Sequence, residues 1–383
     1  MRPLILVALC LLGAHATAAY LPAADATVLE AVPAASRMRE LQPLRLALAS
    51  QPDNPSAAVN LARGYLAIGR NDGDPRFLSY AEATLAPWLR RDRIPADVLV
   101  VAAIVYQSSH RFSEALALLD RALILQPRHP QGLLTRATIL QVRGDFTAAR
   151  TTCAQLVQAA GQLVAVACLS AANAMNGHLP ESQRALRAVF VDDPRLDAGL
   201  RSWIRGQLGE MALRLNDPRQ AERDFVAGLR DAPQDLYLKA AYADLLIDRQ
   251  RPAEALRLLR DNEAQDILLL RLAIAATRVG DGTAQRYARL YQGRYDAAQR
   301  DGDATHAREH ARFQLEVRKN SAEALRLAQR NWQVQREPAD ISLYLRAACA
   351  AHSTDAHSQI SGWIRDNAYQ DAALAPLLAC PTT

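Results

Sequence analysis

The sequence predicts an all-α protein built as a solenoid of helical hairpins. Alanine, leucine and arginine dominate the 383 residues, 50% of the residues are hydrophobic and only 5% are aromatic. This composition favours helix, and no stretch alternates polar and apolar residues for long enough to predict a sheet. A small residue also recurs at steps near 34 residues, the length of a unit made of two antiparallel helices. A chain of this length exceeds the usual size of one compact core, as a repeat array would.

The repeat is defined by a small residue in the second helix of each unit. The aligned positions are Ala115, Ala149, Ser182, Ala221 and Ala255, which are separated by 34, 33, 39 and 34 residues. Small residues are expected where the two helices of a unit cross closely, and large residues fill the gap to the next unit. Pro127 and Pro233 follow the second helix in two units, where a proline ends a helix because it lacks the N–H donor.

At these positions the sequence resembles the tetratricopeptide-repeat (TPR) family. The resemblance implies an all-α, TPR-type solenoid with a right-handed superhelix, in which the first helix of each unit lines a concave groove. We expect a helical lead-in at 20–53 and an array of about six to seven units at 54–282. The period drifts beyond residue 282, so 283–383 is predicted to form degenerate helical repeats and a C-terminal cap.

Two stretches make the chain similar to a group of exported bacterial TPR proteins that carry no assigned activity. The first combines Gly73-Asp74-Pro75-Arg76 with Ala86-Pro87-Trp88, and the second runs over residues 331–340 as Asn-Trp-Gln-Val-Gln-Arg-Glu-Pro-Ala-Asp. Because the group has no known activity, this resemblance implies no catalytic residue and no cofactor.

Residues 1–19 have the pattern of a secretory signal peptide. Arg2 supplies the positive charge, residues 4–12 form a short apolar segment, and small residues follow at 14–19. Such a segment is too short to span a bilayer and is removed on export. Cys10 raises the alternative of a lipoprotein, but Leu9 stands where a small residue is needed. We therefore expect an exported, periplasmic protein that is soluble after cleavage and has no transmembrane segment.

Four cysteines remain after cleavage, and an even number in an oxidising compartment favours disulfides. Proximity along the chain favours Cys153 with Cys168 and Cys349 with Cys380. The first pair falls on neighbouring helices of consecutive units, where the Cα separation suits a disulfide. Two buried free thiols are the alternative for this pair. A metal site is the competing interpretation of both pairs, but no histidine lies near either pair at ligand spacing and there is no Cys-x-x-Cys, so a metal site is not predicted.

The TPR resemblance places a partner-binding groove on the first helices of the units. Its predicted residues mix apolar and acidic side chains, which favours an extended or helical peptide with apolar anchors and some basic character. The set lacks the basic residues with which other TPR proteins grip a terminal carboxylate. A groove that is merely solvated, or closed by the ends of the chain, is the alternative. The residues are Ile104, Gln107, Leu134, Gln141, Trp203, Glu210, Tyr237, Asp244, Asp248 and Arg278.

The leading functional hypothesis is a periplasmic scaffold or adaptor that binds envelope proteins during assembly, maturation or secretion. The net charge is only +5 and acids alternate with bases along the helices, so nucleic acid is not an expected partner. A structural subunit of an envelope complex, with its contacts on the convex surface, is one alternative. The other is a metal-dependent enzyme near 283–318, where His306 and His310 share one helix; surface histidines are the simpler interpretation. The oligomeric state is open.

Overall fold

The computed structural model describes residues 34–300 and 307–380. The chain divides into two compact units, residues 1–42 and 43–383. In the first unit the described part is mainly helix α1 (Ala34–Glu40), and α2 (Gln42–Ser50) begins at the boundary. The predicted signal peptide and His306 lie outside the described residues. Across those residues every regular element is a helix, and none of these helices is both long and apolar enough to cross a membrane.

In the second unit, consecutive helices pair into nine hairpins over the described residues, numbered 1 to 9 in chain order. Their first helices are α3 (Pro55–Asp72), α5 (Ala96–Ser108), α7 (Pro130–Arg143), α9 (Gln162–Ala174), α11 (Ala198–Arg214), α13 (Leu236–Asp248), α15 (Asp266–Val279), α17 (Ala307–Phe313) and α19 (Pro338–Ala350). Their second helices are α4 (Arg76–Leu89), α6 (Phe112–Leu125), α8 (Phe146–Ala160), α10 (Leu179–Val189), α12 (Pro218–Asp231), α14 (Pro252–Leu259), α16 (Ala284–Arg300), α18 (Ser321–Trp332) and α20 (Thr354–Asp366). A π-helical turn (Gln314–Arg318) extends α17, and a short 3-10 turn (Ala372–Leu374) with α21 (Ala375–Leu378) ends the fold.

The predicted fold class is confirmed by these hairpins. Each aligned small residue lies in the second helix of a hairpin and is at most 4% exposed: Ala115, Ala149, Ser182, Ala221 and Ala255. At these points the two helices of a hairpin cross with no room for a larger side chain. Helices α6 and α12 end two residues before Pro127 and Pro233, as expected for a residue that cannot continue a helix.

The turn inside a hairpin is fixed by local chemistry, as hairpin 3 shows. Gly144 ends α7 with φ of +85°, a left-handed conformation that glycine adopts without strain. Asp145 then begins α8, and its side chain accepts a hydrogen bond from the backbone N–H of Ala148 at 3.1 Å, which satisfies an otherwise unpaired donor. The chain therefore reverses direction within two residues.

Contacts between residues far apart in sequence join hairpins 1–5 to hairpins 5–9, and we call this set of contacts the seam. Phe146 and Met175, at the turns of hairpins 3 and 4, belong to the same hydrophobic core as Trp332 and Tyr344. At the turn of hairpin 1, a methyl group added to Gly73 would lie 3.3 Å from Leu236 Cδ1. The turns of the early hairpins therefore pack against later parts of the chain.

Polar contacts in the seam come from the loop before α19 and from the C-terminal end. The Arg336 backbone N–H donates to the Val142 carbonyl at 2.8 Å, and its guanidinium donates to the Arg143 carbonyl at 2.7 Å. These bonds satisfy carbonyls left unpaired at the end of α7. Arg214 Nε donates to the Gln370 carbonyl at 3.1 Å. The C-terminal hairpins are thus fixed to the turns of hairpins 3 to 5.

Both predicted disulfide pairings are confirmed. Cys153 and Cys168 join α8 to α9 with a Cα separation of 5.5 Å, and both residues are buried. Cys349 and Cys380 join α19 to the chain after α21 with a Cα separation of 6.1 Å. The second disulfide is half-buried, so the two differ in their access to solvent.

Candidate functional site

The inner side of the hairpin array is identified by an ion pair that passes over one hairpin. Asp244 on α13, in hairpin 6, lies 2.8 Å from Arg312 on α17, in hairpin 8. In a curved array, side chains two units apart meet on the inner side, where the first helices converge. Asp244 also pairs with Arg271 of hairpin 7 at 2.8 Å. We call the surface around this pair the inner surface.

A buried glutamate collects three arginines on the inner surface. Glu316 is in the π-helical turn and its side chain is only 4% exposed. It lies 2.8 Å from Arg278, 2.9 Å from Arg312 and 3.1 Å from Arg346, which come from hairpins 7, 8 and 9. We call Asp244, Asp248, Arg271, Arg278, Arg312, Glu316 and Arg346 the carboxylate–arginine cluster.

The arginines keep the buried carboxylates of this cluster ionised. Burial on its own raises the pKa of Glu316, but the charges of Arg312 and Arg346 outweigh it and hold that pKa well below its usual range. The pKa of Asp244 is also lowered, because Arg271 and Arg312 outweigh the effect of its burial. Four arginines face three carboxylates, so the cluster has a formal charge of about +1 when all groups are ionised.

Tyr237 and Glu210 form a second feature of the inner surface, on hairpins 6 and 5. The Tyr237 hydroxyl donates to a carboxylate oxygen of Glu210, although the tyrosine residue is 58% exposed. Burial raises the pKa of Glu210 to about 7; the Tyr237 hydrogen bond opposes this shift, and the negative charge of Glu337 adds to it. The same Glu210 charge raises the pKa of Tyr237. The carboxyl group thus titrates near neutral pH.

The predicted groove residues of hairpins 2 to 5 have different environments. Ile104 is only 7% exposed, because α5 packs against α3, α4, α6 and α7; its prediction as an accessible groove residue is therefore corrected. Gln107 is half-buried. Leu134 and Trp203 are half-buried against the cores around them. Gln141 donates to the Cys168 carbonyl at 3.4 Å, next to the buried disulfide.

The structure brings the predicted residues of hairpins 5 to 7 together but changes their chemistry. Asp244 is neutralised by arginines, and Asp248 is exposed at the end of α13. Arg278 forms an ion pair with Glu316 and also donates a hydrogen bond to the Ile247 carbonyl at 3.2 Å. The acidic character expected near Asp244 is therefore balanced within the chain, and that carboxylate gives no reason to expect a basic ligand.

Four members of the cluster were not predicted as site residues: Arg271, Arg312, Glu316 and Arg346. The last three lie beyond residue 282, where the repeat period drifts and the alignment no longer identifies inner positions. The regular alternation of acids and bases along these helices looks the same for an inner residue as for a solvated one. Only the ion pairs seen in the structure distinguish the inner residues from the solvated ones.

His310, the described member of the histidine pair near 283–318, is buried within an aromatic stack. Its ring lies 3.4 Å from the Tyr295 ring in a parallel arrangement, centroid to centroid. Its Nε2 lies 3.0 Å from the side-chain nitrogen of Gln314. Burial lowers the pKa of His310 to about 4, so the ring is neutral at pH 7. It is 3% exposed, and its expected position on the surface is corrected.

A histidine does lie beside one of the disulfides, contrary to expectation. One ring nitrogen of His357 and the sulfurs of Cys349 and Cys380 all lie within 4.8 Å of one another. His357 is eight residues after Cys349 and twenty-three before Cys380. Neither spacing follows a familiar ligand motif. The turn before α20 and the return of α21 bring these residues together, so the sequence spacing alone could not show the group.

Comparison with known proteins bears on the fold alone. No protein-family model and no curated protein sequence matches this chain. A human IFIT1 dimer with PPP-AAAA has a TM-score of 0.45 at 12% identity, over 90% of this chain and 85% of that one. A tetratricopeptide repeat protein from Parabacteroides merdae gives 0.38 at 12% identity, over 75% and 98%. Pseudomonas aeruginosa pilF gives 0.31 at 19% identity, over 64% and 96%. This chain resembles TPR proteins, and its fold class rests on its own hairpins.

Proposed function

We propose that this protein is a non-catalytic scaffold that binds a protein or peptide on its inner surface. The observation that carries the proposal is Tyr237, which is 58% exposed and yet oriented by its hydrogen bond to Glu210 on the neighbouring first helix. A large aromatic side chain that is both exposed and held in place provides contact area at little cost in conformational entropy. Solenoids of helical hairpins bind extended partners on such surfaces.

The arginines of the carboxylate–arginine cluster support a partner with both polar and apolar groups. Arg278 and Arg346 each keep 30% of their side chain exposed while bound to Glu316. Their remaining N–H groups face solvent and can donate to carbonyl or carboxylate oxygens. An extended peptide that covers Tyr237 with an apolar side chain and continues along the inner surface to the carboxylate–arginine cluster would find these donors there.

We further propose that the protein acts in the envelope of the cell, after export to the periplasm, in the assembly, maturation or secretion of envelope proteins. Two disulfides support an oxidising compartment. The sequence of residues 1–19 supports export. Fractionation of cells that produce the full chain tests this location: recovery in the periplasmic fraction with both disulfides formed is expected, and a cytoplasmic protein with four free thiols contradicts it.

Site-specific photo-crosslinking tests the binding surface. A photo-reactive amino acid placed at Tyr237 in the full chain, in its native cells, is expected to give a crosslinked adduct with one defined protein. The matched control is the same amino acid at Tyr80, which is 44% exposed on second helix α4. Adducts at Tyr80 and none at Tyr237 would place binding on the second helices and exclude the inner surface.

A second variant separates loss of contact from loss of structure. Tyr237→Phe keeps the ring and removes the hydroxyl that donates to Glu210, whereas Tyr237→Ala removes both. Binding of the crosslinked partner, measured with purified proteins by calorimetry, is expected to weaken strongly in Tyr237→Ala and less in Tyr237→Phe. Unchanged affinity in both variants excludes Tyr237 as an anchor.

A further inference from the structure

The two disulfides of this chain differ in what surrounds their sulfur atoms. Cys349 and Cys380 are half-buried, and a ring nitrogen of His357 lies with both sulfurs inside a common distance of 4.8 Å. Cys153 and Cys168 are 0% and 2% exposed. Among the described residues, the group formed by Cys349, His357 and Cys380 is the one cluster with the ligand types and spacing of a metal site.

Three separate elements converge at this point. Cys349 is next to the end of α19, His357 is in the first turn of α20, and Cys380 follows α21. The Leu377 carbonyl oxygen lies 3.0 Å from His357 Nε2 and 3.3 Å from Cys349 Sγ. The ring of His357 is therefore held at Nε2 by a backbone carbonyl, as in metal sites where a carbonyl orients a histidine that binds the metal through its other nitrogen.

The distances suit zinc once the sulfur–sulfur bond is broken. Zinc binds thiolate at about 2.3 Å and imidazole at about 2.0–2.1 Å in a tetrahedral arrangement, so its ligand atoms lie about 3.5–3.8 Å from one another. Ligand atoms that already lie within 4.8 Å of one another reach such positions by small side-chain rotations. Because the residues are half-buried, a water molecule can fill the fourth position.

We propose that reduction of the Cys349–Cys380 disulfide converts this site into a zinc site, with two thiolates and His357 as ligands. A dithiol reductant delivers two electrons and two protons, the S–S bond breaks, two thiols form, and the reductant becomes a disulfide. Zinc then displaces one proton from each thiol, and both protons pass to solvent. The oxidised form holds both sulfurs in a covalent bond and has no site for the ion.

Metal titration of the full chain in both redox states tests the proposal. The protein is reduced with a phosphine, freed of reductant without oxygen, and titrated with Co²⁺, whose tetrahedral thiolate complexes absorb strongly in the visible range. The reduced protein is expected to bind one equivalent that Zn²⁺ displaces, and the oxidised protein none. A reduced protein that binds no metal overturns the proposal.

Variants identify the ligands and separate coordination from folding. Cys153→Ala with Cys168→Ala should retain the visible band, and Cys349→Ala with Cys380→Ala should lose it. His357→Gln retains an amide that can donate to the Leu377 carbonyl, so its helical circular dichroism should be unchanged while metal affinity falls at least about tenfold. Unchanged affinity in His357→Gln, or binding that follows Cys153 and Cys168, overturns the assignment.

Discussion

Asp244 of hairpin 6 and Arg312 of hairpin 8 are joined by an ion pair of 2.8 Å that passes over hairpin 7. Arg312 also lies 2.9 Å from Glu316, and its side chain is 14% exposed. One guanidinium therefore serves two carboxylates, of which Glu316 is buried and Asp244 is half-buried. Together with Arg271 and Arg278, this side chain holds hairpins 6, 7 and 8 in their relative positions.

Replacement of Arg312 should strongly destabilise the second unit. Arg312→Ala leaves Asp244 with Arg271 and leaves Glu316 with Arg278 and Arg346. The loss of the sole partner from a buried ion pair costs about 3–5 kcal/mol, so with these partners left we expect a cost near the lower end of that range. The shift of the urea unfolding midpoint measures this cost. The matched control is Arg326→Ala, because Arg326 pairs with Glu323 on the surface with 60% of its side chain exposed. Such a pair contributes about 0–1 kcal/mol. Equal shifts in the two variants would refute the structural role of Arg312.

The pH dependence of stability should include a contribution from Glu210. Its pKa is about 7 in the folded protein, above the ordinary value of 4.5, so the folded state binds the proton more tightly than the unfolded state does. This contribution is complete below about pH 4.5 and is lost as the pH rises through 7. Between pH 5 and pH 8 the thermal midpoint of the wild type should fall more than that of Glu210→Gln.

Glu181→Gln is the control for this measurement. Glu181 is exposed on α10 and pairs with Arg184 on the same helix. Its pKa is lowered, mainly by a backbone hydrogen bond, so it is ionised throughout the range from pH 5 to pH 8. The Glu181→Gln variant should keep the wild-type slope, and a wild-type slope in Glu210→Gln would contradict the prediction.

Two glycines allow the seam to be tested against an internal reference. Gly144 ends α7 with φ of +85°, and Gly280 ends α15 with φ of +68°. A methyl group at Gly144 would lie 3.1 Å from Arg336 Cδ, whereas one at Gly280 has open space around it. Gly280→Ala should cost about 1–2 kcal/mol from backbone strain alone.

Gly144→Ala should cost about 1–3 kcal/mol more than Gly280→Ala, because it adds steric overlap with Arg336 to the same backbone strain. Urea unfolding of both variants under one set of conditions measures the difference. Equal costs would show that Arg336 moves aside freely and that this part of the seam contributes little to stability.

Removal of the buried disulfide should have a measurable cost. The Cys153–Cys168 bond closes a loop of 15 residues, which corresponds to about 3 kcal/mol in the chain-entropy model. Cys153→Ala with Cys168→Ala should lower the free energy of unfolding by about that amount.

The two disulfides should also differ in how readily they are reduced. Under increasing dithiol concentration, alkylation and mass spectrometry should detect free Cys349 and Cys380 before free Cys153 and Cys168, because the Cys349–Cys380 pair is half-buried whereas the Cys153–Cys168 pair is buried. The reverse order would contradict the difference in access.

The sequence was sufficient to predict the features that depend on the repeat, namely the helical hairpins and the disulfide between neighbouring helices. The 34-residue period, the small residue at each helix crossing and the terminating prolines identify hairpins without tertiary information, and Ala115 and Ala221 are fully buried as expected. The pairing of Cys153 with Cys168 follows from the same reasoning, since consecutive helices are neighbours. Each of these inferences involves residues within one or two units.

Contacts between distant units could not be predicted in this way. Gln335 and His110 meet across 225 positions, with the Gln335 amide nitrogen 3.0 Å from His110 Nδ1, and no spacing rule links such residues. The distinctive stretch at 331–340 gains its explanation here, because Trp332 is buried in the C-terminal core and Arg336 caps α7. The stretch at 73–76 likewise holds a turn that packs against Leu236.

The seam also changes how this unit should unfold. In an open array each hairpin contacts only its neighbours, so the ends fray and unfolding spreads along the chain. Here Arg336 is bonded to Arg143 across 193 positions, and Arg214 to Gln370 across 156. If the segment that holds one of these residues unfolds, its bonded partner far away along the chain loses a hydrogen bond, and the hairpin beside that partner is destabilised. The nine hairpins should unfold as one cooperative body, so a destabilising change at the C-terminal end should also lower the stability of hairpins 3 to 5.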